Sequence, residues 1–130
     1  MTPYNERMAR YRGLTLRVLA GDFPAMGPGK ARLITLIADT GSISAAAREM
    51  GMSYRRAWQL VEALNKSFSE PVVLTAVGGR RGGGAMVTGF GRRVVERYRG
   101  MEAKASAAIA ADLEKFSGYL HKPPPRRKPR

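Results

Sequence analysis

The chain contains no cysteine, which excludes disulfide frameworks and thiolate metal centres. Histidine occurs once, at His121 beside a run of prolines, leaving imidazole acid, base or metal chemistry almost without material. No apolar run of about twenty residues is available to span a bilayer. The opening MTPYNERMARYRG is not followed by an apolar region of signal-peptide type, so a cytoplasmic protein is expected. Acidic residues are also few, 10 against 23 lysines and arginines, for a net charge of +13. That imbalance favours a polyanionic partner, nucleic acid by default, because neutralising phosphates releases counterions. Lys122, Arg126, Arg127, Lys128 and Arg130 carry part of it in the tail, yet the remaining chain is still basic.

What is present suits a packed domain: 130 residues, 44% of them hydrophobic, are enough for one core with an appendage and leave no room for a second ligand-binding domain. The segment from Gly41 to Asn65, GSISAAAREMGMSYRRAWQLVEALN, reads as a short helix, a turn at Gly51 and a second helix. Ser44 is expected to cap the first helix by accepting a backbone N–H. Gly51 ends it, since glycine tolerates the left-handed backbone. Ser53 caps the second, placing Tyr54, Arg55 and Arg56 in its first turn, with Gln59 one turn further. Such a helix-turn-helix presents the start of its second helix to base edges, and arginine can bind guanine O6 and N7 bidentately. Ala57, Leu60, Val61, Leu64 and Phe68 recur at helical spacing as the packed stripe, leaving Arg55, Arg56, Gln59, Glu62 and Lys66 mostly outside it. Trp58 sits beside the stripe and is expected to pack, with a contact role as the alternative.

Upstream, Leu14, Leu16 and Val18 alternate with Thr15 and Arg17 as in a short strand. A loop follows from Gly21 to Gly29, then a helix over about residues 29–39. Downstream, Val72 to Val77 and Ala85 to Thr88 bracket GGRRGGG, the pattern of a hairpin wing whose tip carries Arg80 and Arg81 for a minor groove or for phosphates. An ordinary hairpin with solvated arginines is the alternative. From Gly89 a long helix is expected to reach Leu120, its stripe being Val94, Tyr98, Met101, Ala105, Ile109, Leu113, Phe116 and Leu120. So small a core cannot cover that whole stripe, so its distal part is expected to pack on a second copy, giving a homodimer; the alternative is a break at Gly100 or Gly118. Arg92, Arg93, Arg97 and Arg99 near its start are placed to support a DNA backbone.

The expected fold class is mainly α with a small β wing: an N-terminal extension over 1–13, a winged helix-turn-helix over 14–88, a dimerisation helix over 89–120, and a disordered, basic, Pro-rich tail over 121–130. SYRRAW followed by GGRRGGG, with LTLRVL ahead of GPGKARLITLIADTGS, resembles the N-terminal DNA-binding domain of the ModE family of molybdate-responsive regulators, itself related to the LysR-type winged helix. The likeness covers about residues 14–100. It implies a homodimer on a near-palindromic operator in double-stranded DNA, and a regulator, repressing or dual, tied to molybdenum metabolism. The matching DNA-reading positions are Ser53, Tyr54, Arg55, Arg56 and Gln59, with Arg80 and Arg81 on the wing, and Ser44 is added from the helix pair. Family members carry oxyanion-binding domains after the long helix, whereas this chain reaches Arg130 in a basic tail. No molybdate-sensing positions are therefore carried over, and no cofactor is expected in this chain.

Two other function classes compete with this reading. An enzyme is disfavoured: a phosphate-binding loop ending in Gly29-Lys30 needs glycine where Pro24 stands and serine or threonine where Ala31 stands. A nonspecific architectural DNA-binding protein needs only phosphate contacts and stays open; sequence preference separates it from a regulator.

Overall fold

Pro28, whose ring presets a helical φ and whose missing N–H is no loss in a first turn, opens helix α1 (Pro28–Thr40). The computed structural model describes residues 13–76 and 84–121. Expectations for residues 1–12, for the wing tip with Arg80 and Arg81, and for the tail beyond His121 lie outside these. Helix α1 buries Ala31, Leu33, Ile34 and Ile37. It stops at Gly41, which adopts φ 70° and donates its N–H to the Ile37 carbonyl at 2.8 Å.

Helix α2 (Ile43–Met50) is capped by Ser42, whose hydroxyl accepts from the Ala45 N–H at 3.0 Å. The cap is thus two residues earlier than the expected Ser44, which stands exposed inside the first turn. Ile43 explains the shift: as a core side chain it joins Ala46 and Ala47 on the buried face, so the helix begins there. Gly51, at φ 69°, closes α2, and the Met52 N–H reaches back to the Ala47 carbonyl at 3.0 Å. Helix α3 (Tyr54–Ser67) follows, capped as expected by Ser53, which accepts from the Arg56 N–H at 3.1 Å.

Ahead of α1 the expected strand is displaced. Burial does alternate through residues 14–18, but ladder pairing begins only at β1 (Val18–Ala20), which meets β2 (Phe23–Met26) antiparallel across a turn at Gly21. The supposed loop therefore contains a return strand, because Ala25 and Met26 are core residues that pull the segment inward. After α3, β3 (Val73–Ala76) and β4 (Gly84–Val87) pair antiparallel, with Val73 opposite Val87 and Leu74 opposite Met86. The valines are buried and the Leu74 and Met86 pair is exposed, as alternation on a one-sided ribbon requires.

Thr88 then turns the chain: its Oγ1 donates to the Pro71 carbonyl at 2.7 Å and accepts from the Gly91 N–H at 2.8 Å, capping helix α4 (Gly89–Ala108). The expected continuous helix to Leu120 is interrupted at Ile109, whose backbone leaves helical values (φ −108°, ψ 11°), and a second helix α5 (Ala110–Ser117) follows. Gly100 stays inside α4. Beyond Ser117 the chain tightens into i to i+3 bonds, Tyr119 N–H to Phe116 and Leu120 N–H to Ser117, which ends the helix before Leu120.

Among the described residues, 16–76 and 84–101 form one unit, and 102–121 form another with 13–15. The core of the first draws on Leu33, Ile34 and Ile37 of α1, Ala46 and Ala47 of α2, Ala57, Val61 and Leu64 of α3, Val72, Val73 and Val87 of the wing, and Tyr98 of α4. This is the expected mainly α fold with a small β wing. Among the described residues no helix is long and apolar enough to cross a membrane.

Candidate nucleic-acid interface

Burial of Ala57, Val61 and Leu64 fixes how α3 is rotated, and by helical geometry the opposite side carries Arg55, Gln59 and Glu62. All three are exposed, as are Ser53, Tyr54 and Arg56. Glu62 lies one turn beyond Trp58 and about two turns beyond Arg55, so the outer face carries an acceptor as well as donors. Ser53 contributes through the cap, which fixes where the first turn begins, and Ser44 stands exposed on α2.

Trp58 departs from the packing expectation. It keeps 38% of its surface in solvent and lines a shallow hollow on α3 together with Tyr54, Arg55, Gln59 and Glu62. The core side of the helix is already filled by Ala57 and Val61, its neighbours on the stripe, and the indole is left at the edge. The sequence signal was available, since Tyr54 and Trp58 are one turn apart and therefore lie side by side.

The helix is tied down at its far end. Asn65 Oδ1 accepts from the Val72 N–H at 2.8 Å, joining the last turn of α3 to the root of the wing. The end of α1 is joined to the other wing strand, with Ala85 donating its N–H to the Gly41 carbonyl at 3.0 Å. At the start of α1, Lys30 donates to the Pro24 carbonyl at 2.6 Å, and burial lowers its pKa below the usual lysine range. Helices and ribbon are thus linked by hydrogen bonds as well as by apolar contact.

The expected self-association stripe divides. Tyr98 is 1% exposed and donates its hydroxyl to the Leu16 carbonyl at 2.7 Å, so it belongs to the core of its own chain and has no surface to give a partner. A ring hydroxyl that reaches a carbonyl can be buried without cost, which apolar spacing alone does not reveal. Val94 is half-buried, lining an apolar groove with Phe68, Phe90 and Met101, edged by Arg93 and Arg97. Met101 is 44% exposed. In the second unit Ala105, Ile109 and Leu113 are half-buried and Phe116 is 58% exposed.

Residues 29–92 match the model of bacterial regulatory helix-turn-helix proteins of the LysR family. The chain is 42% identical over 99 residues to a molybdenum-pterin-binding protein, MopB of Rhodobacter capsulatus, a match covering 76% of this chain and 35% of that protein. It is 38% identical over 108 residues to the molybdenum transport protein ModE of Azotobacter vinelandii, covering 75% of this chain and 40% of the relative. The chain thus spans well under half the length of these curated relatives. A solved complex of the CbnR DNA-binding domain with DNA superposes at a TM-score of 0.50 and 18% identity, over 69% of this chain and 95% of that one, a likeness of fold.

Proposed function

Residues 29–92 belong to the LysR-type family of bacterial regulatory helix-turn-helix domains, and from that premise we propose that the protein is a sequence-specific DNA-binding transcriptional regulator, not an enzyme, acting in the cytoplasm on genes of molybdenum metabolism. The single observation that carries the reading is the outer face of α3: exposed Arg55, Arg56 and Gln59 on a helix capped at Ser53 and packed from behind through Ala57, Val61 and Leu64. A helix so presented fits the major groove, where Arg reads guanine and Gln reads adenine. The molybdenum link rests on the relatives named above, both of them molybdenum proteins.

The active species is a homodimer. The apolar groove at Phe90, Val94 and Met101 supplies apolar surface that a second copy would cover. Two recognition helices related by the dimer axis then enter successive major grooves about 34 to 36 Å apart, so the operator is an inverted repeat. Arg80 and Arg81 at the wing tip add phosphate or minor-groove contacts. Among the described residues no group of three or more His, Asp or Glu is placed to hold a metal ion, and no step of this reading passes through molybdate.

The test is selection of bound sequences from a random DNA pool by the purified protein at physiological salt, with and without molybdate. Enrichment of an inverted repeat is the expected result. Uniform recovery of all sequences would instead assign an architectural role.

A further inference from the structure

Two large aromatic side chains on the outside of a recognition helix call for a partner. Tyr54 is 53% exposed and Trp58 38% exposed, they lie one turn apart, and the hollow they line is shared with Arg55, Gln59 and Glu62. Core packing does not account for them, because Ala57, Val61 and Leu64 already fill the inner side of α3. Their neighbours are polar or charged, so the aromatic surface is an apolar island within a face built for base edges. The floor of the major groove offers one apolar group, the 5-methyl of thymine.

We infer that Trp58 is a specificity-determining residue, forming with Tyr54 the seat for a thymine 5-methyl group in the operator half-site. The inference rests on the DNA-reading function proposed above and adds to it a base that α3 selects without a hydrogen bond. Gln59, next to the indole on the same face, is placed to bind adenine through N6 and N7. A half-site with A·T pairs under this part of the helix is therefore expected, beside a guanine under Arg55. A phosphate contact by the indole N–H would be insensitive to base methylation, and its loss would weaken all sequences alike.

Uracil in place of thymine removes the methyl group and nothing else. Each thymine of the selected half-site is replaced in turn by uracil, and affinity is measured for the wild-type protein and for Trp58→Phe and Trp58→Ala, whose folding is checked by circular dichroism. One position should weaken wild-type binding roughly three- to tenfold. Trp58→Phe should keep that sensitivity and Trp58→Ala should lose it. A site at which no uracil weakens wild-type binding overturns the inference while leaving the regulator intact, and this arm needs no variant. Losses from uracil and Trp58→Ala that simply multiply would also overturn it. Absence of any preferred sequence would sink the regulator itself.

Discussion

The carboxamide of Asn65 holds the backbone of Val73 at two points: Nδ2 donates to the Val73 carbonyl at 2.9 Å, and Oδ1 accepts from the Val73 N–H at 3.1 Å. Because Oδ1 also takes the Val72 N–H, one side chain on α3 does the work that a third strand would do for β3. Asn65→Ala leaves these partly buried groups without partners and should cost about 1 to 3 kcal/mol, read from urea unfolding. Asn65→Asp keeps the acceptor but turns the donor into an oxygen facing the Val73 carbonyl, so it should destabilise as well. Unaltered unfolding midpoints for both would remove this link from the fold.

Gly91 and Gly100 lie on the same helix and should respond in opposite directions to the same change. A Cβ on Gly91 would collide with the Val72 carbonyl oxygen, which is backbone and cannot step aside, and would press on Val72 and Val87 at 3.0 Å. Gly91→Ala should therefore destabilise by about 1 to 3 kcal/mol. Gly100 has nothing within 4 Å of the added carbon and sits in a helix interior, so Gly100→Ala should stabilise by about 0.5 to 1 kcal/mol. Thermal melts of the two variants decide both signs.

Arg55 shares its hollow with Gln59 and Trp58, whereas Arg56 lies toward the other flank of α3. Arg55→Ala should cost about 1 to 3 kcal/mol at the cognate site and relax preference at one base position. Arg56→Ala should weaken binding evenly across sequences, as loss of a phosphate contact does. Binding titrations against single-base operator variants would separate the two; a uniform loss for Arg55→Ala would take it out of base reading.

The wing tip is tested by salt. With Arg80 and Arg81 both changed to alanine, the slope of log affinity against log salt should become shallower by up to about 2. A slope equal to that of the wild-type protein would exclude phosphate contacts there.

Self-association should fail when charge enters the apolar groove. Met101→Glu is expected to raise the dimer dissociation constant by an order of magnitude or more, measured by sedimentation velocity without DNA, because burying an unpaired carboxylate is costly. Dimerisation unaffected by the change would move the interface elsewhere.

Much of this was legible from spacing alone. Caps and glycine stops are local chemistry, so Ser53, Gly51 and the run of α3 were readable without tertiary information. The wing strands were as well, because a β-branched run from Val72 and a short return strand bracket a glycine-rich turn. The errors arose where a distant part of the fold decided. Ile43 drew the start of α2 toward the core and moved the cap to Ser42. Ala25 and Met26 turned a Gly- and Pro-rich loop into a strand. Tyr98 matched the outer stripe of a long helix in every respect except that a carbonyl 82 positions earlier was waiting for its hydroxyl. Trp58 keeps 38% of its surface exposed, because one residue beside a stripe can fall on either side of it.

The inner joint of the helix pair is made of methyl groups. Ala31, Ala46 and Ala57 are completely buried and Ala47 nearly so. Alanine has no rotamers to freeze, so these contacts fix the helices without a side-chain entropy cost and with little slack. The buried contacts of α3 thus lie on one side of the helix and the residues proposed to read DNA on the other. Changes on the outer face should then act almost additively with changes in the core. Such a scaffold can be retargeted to a new operator by drift in a few surface positions, with each intermediate sequence still folded.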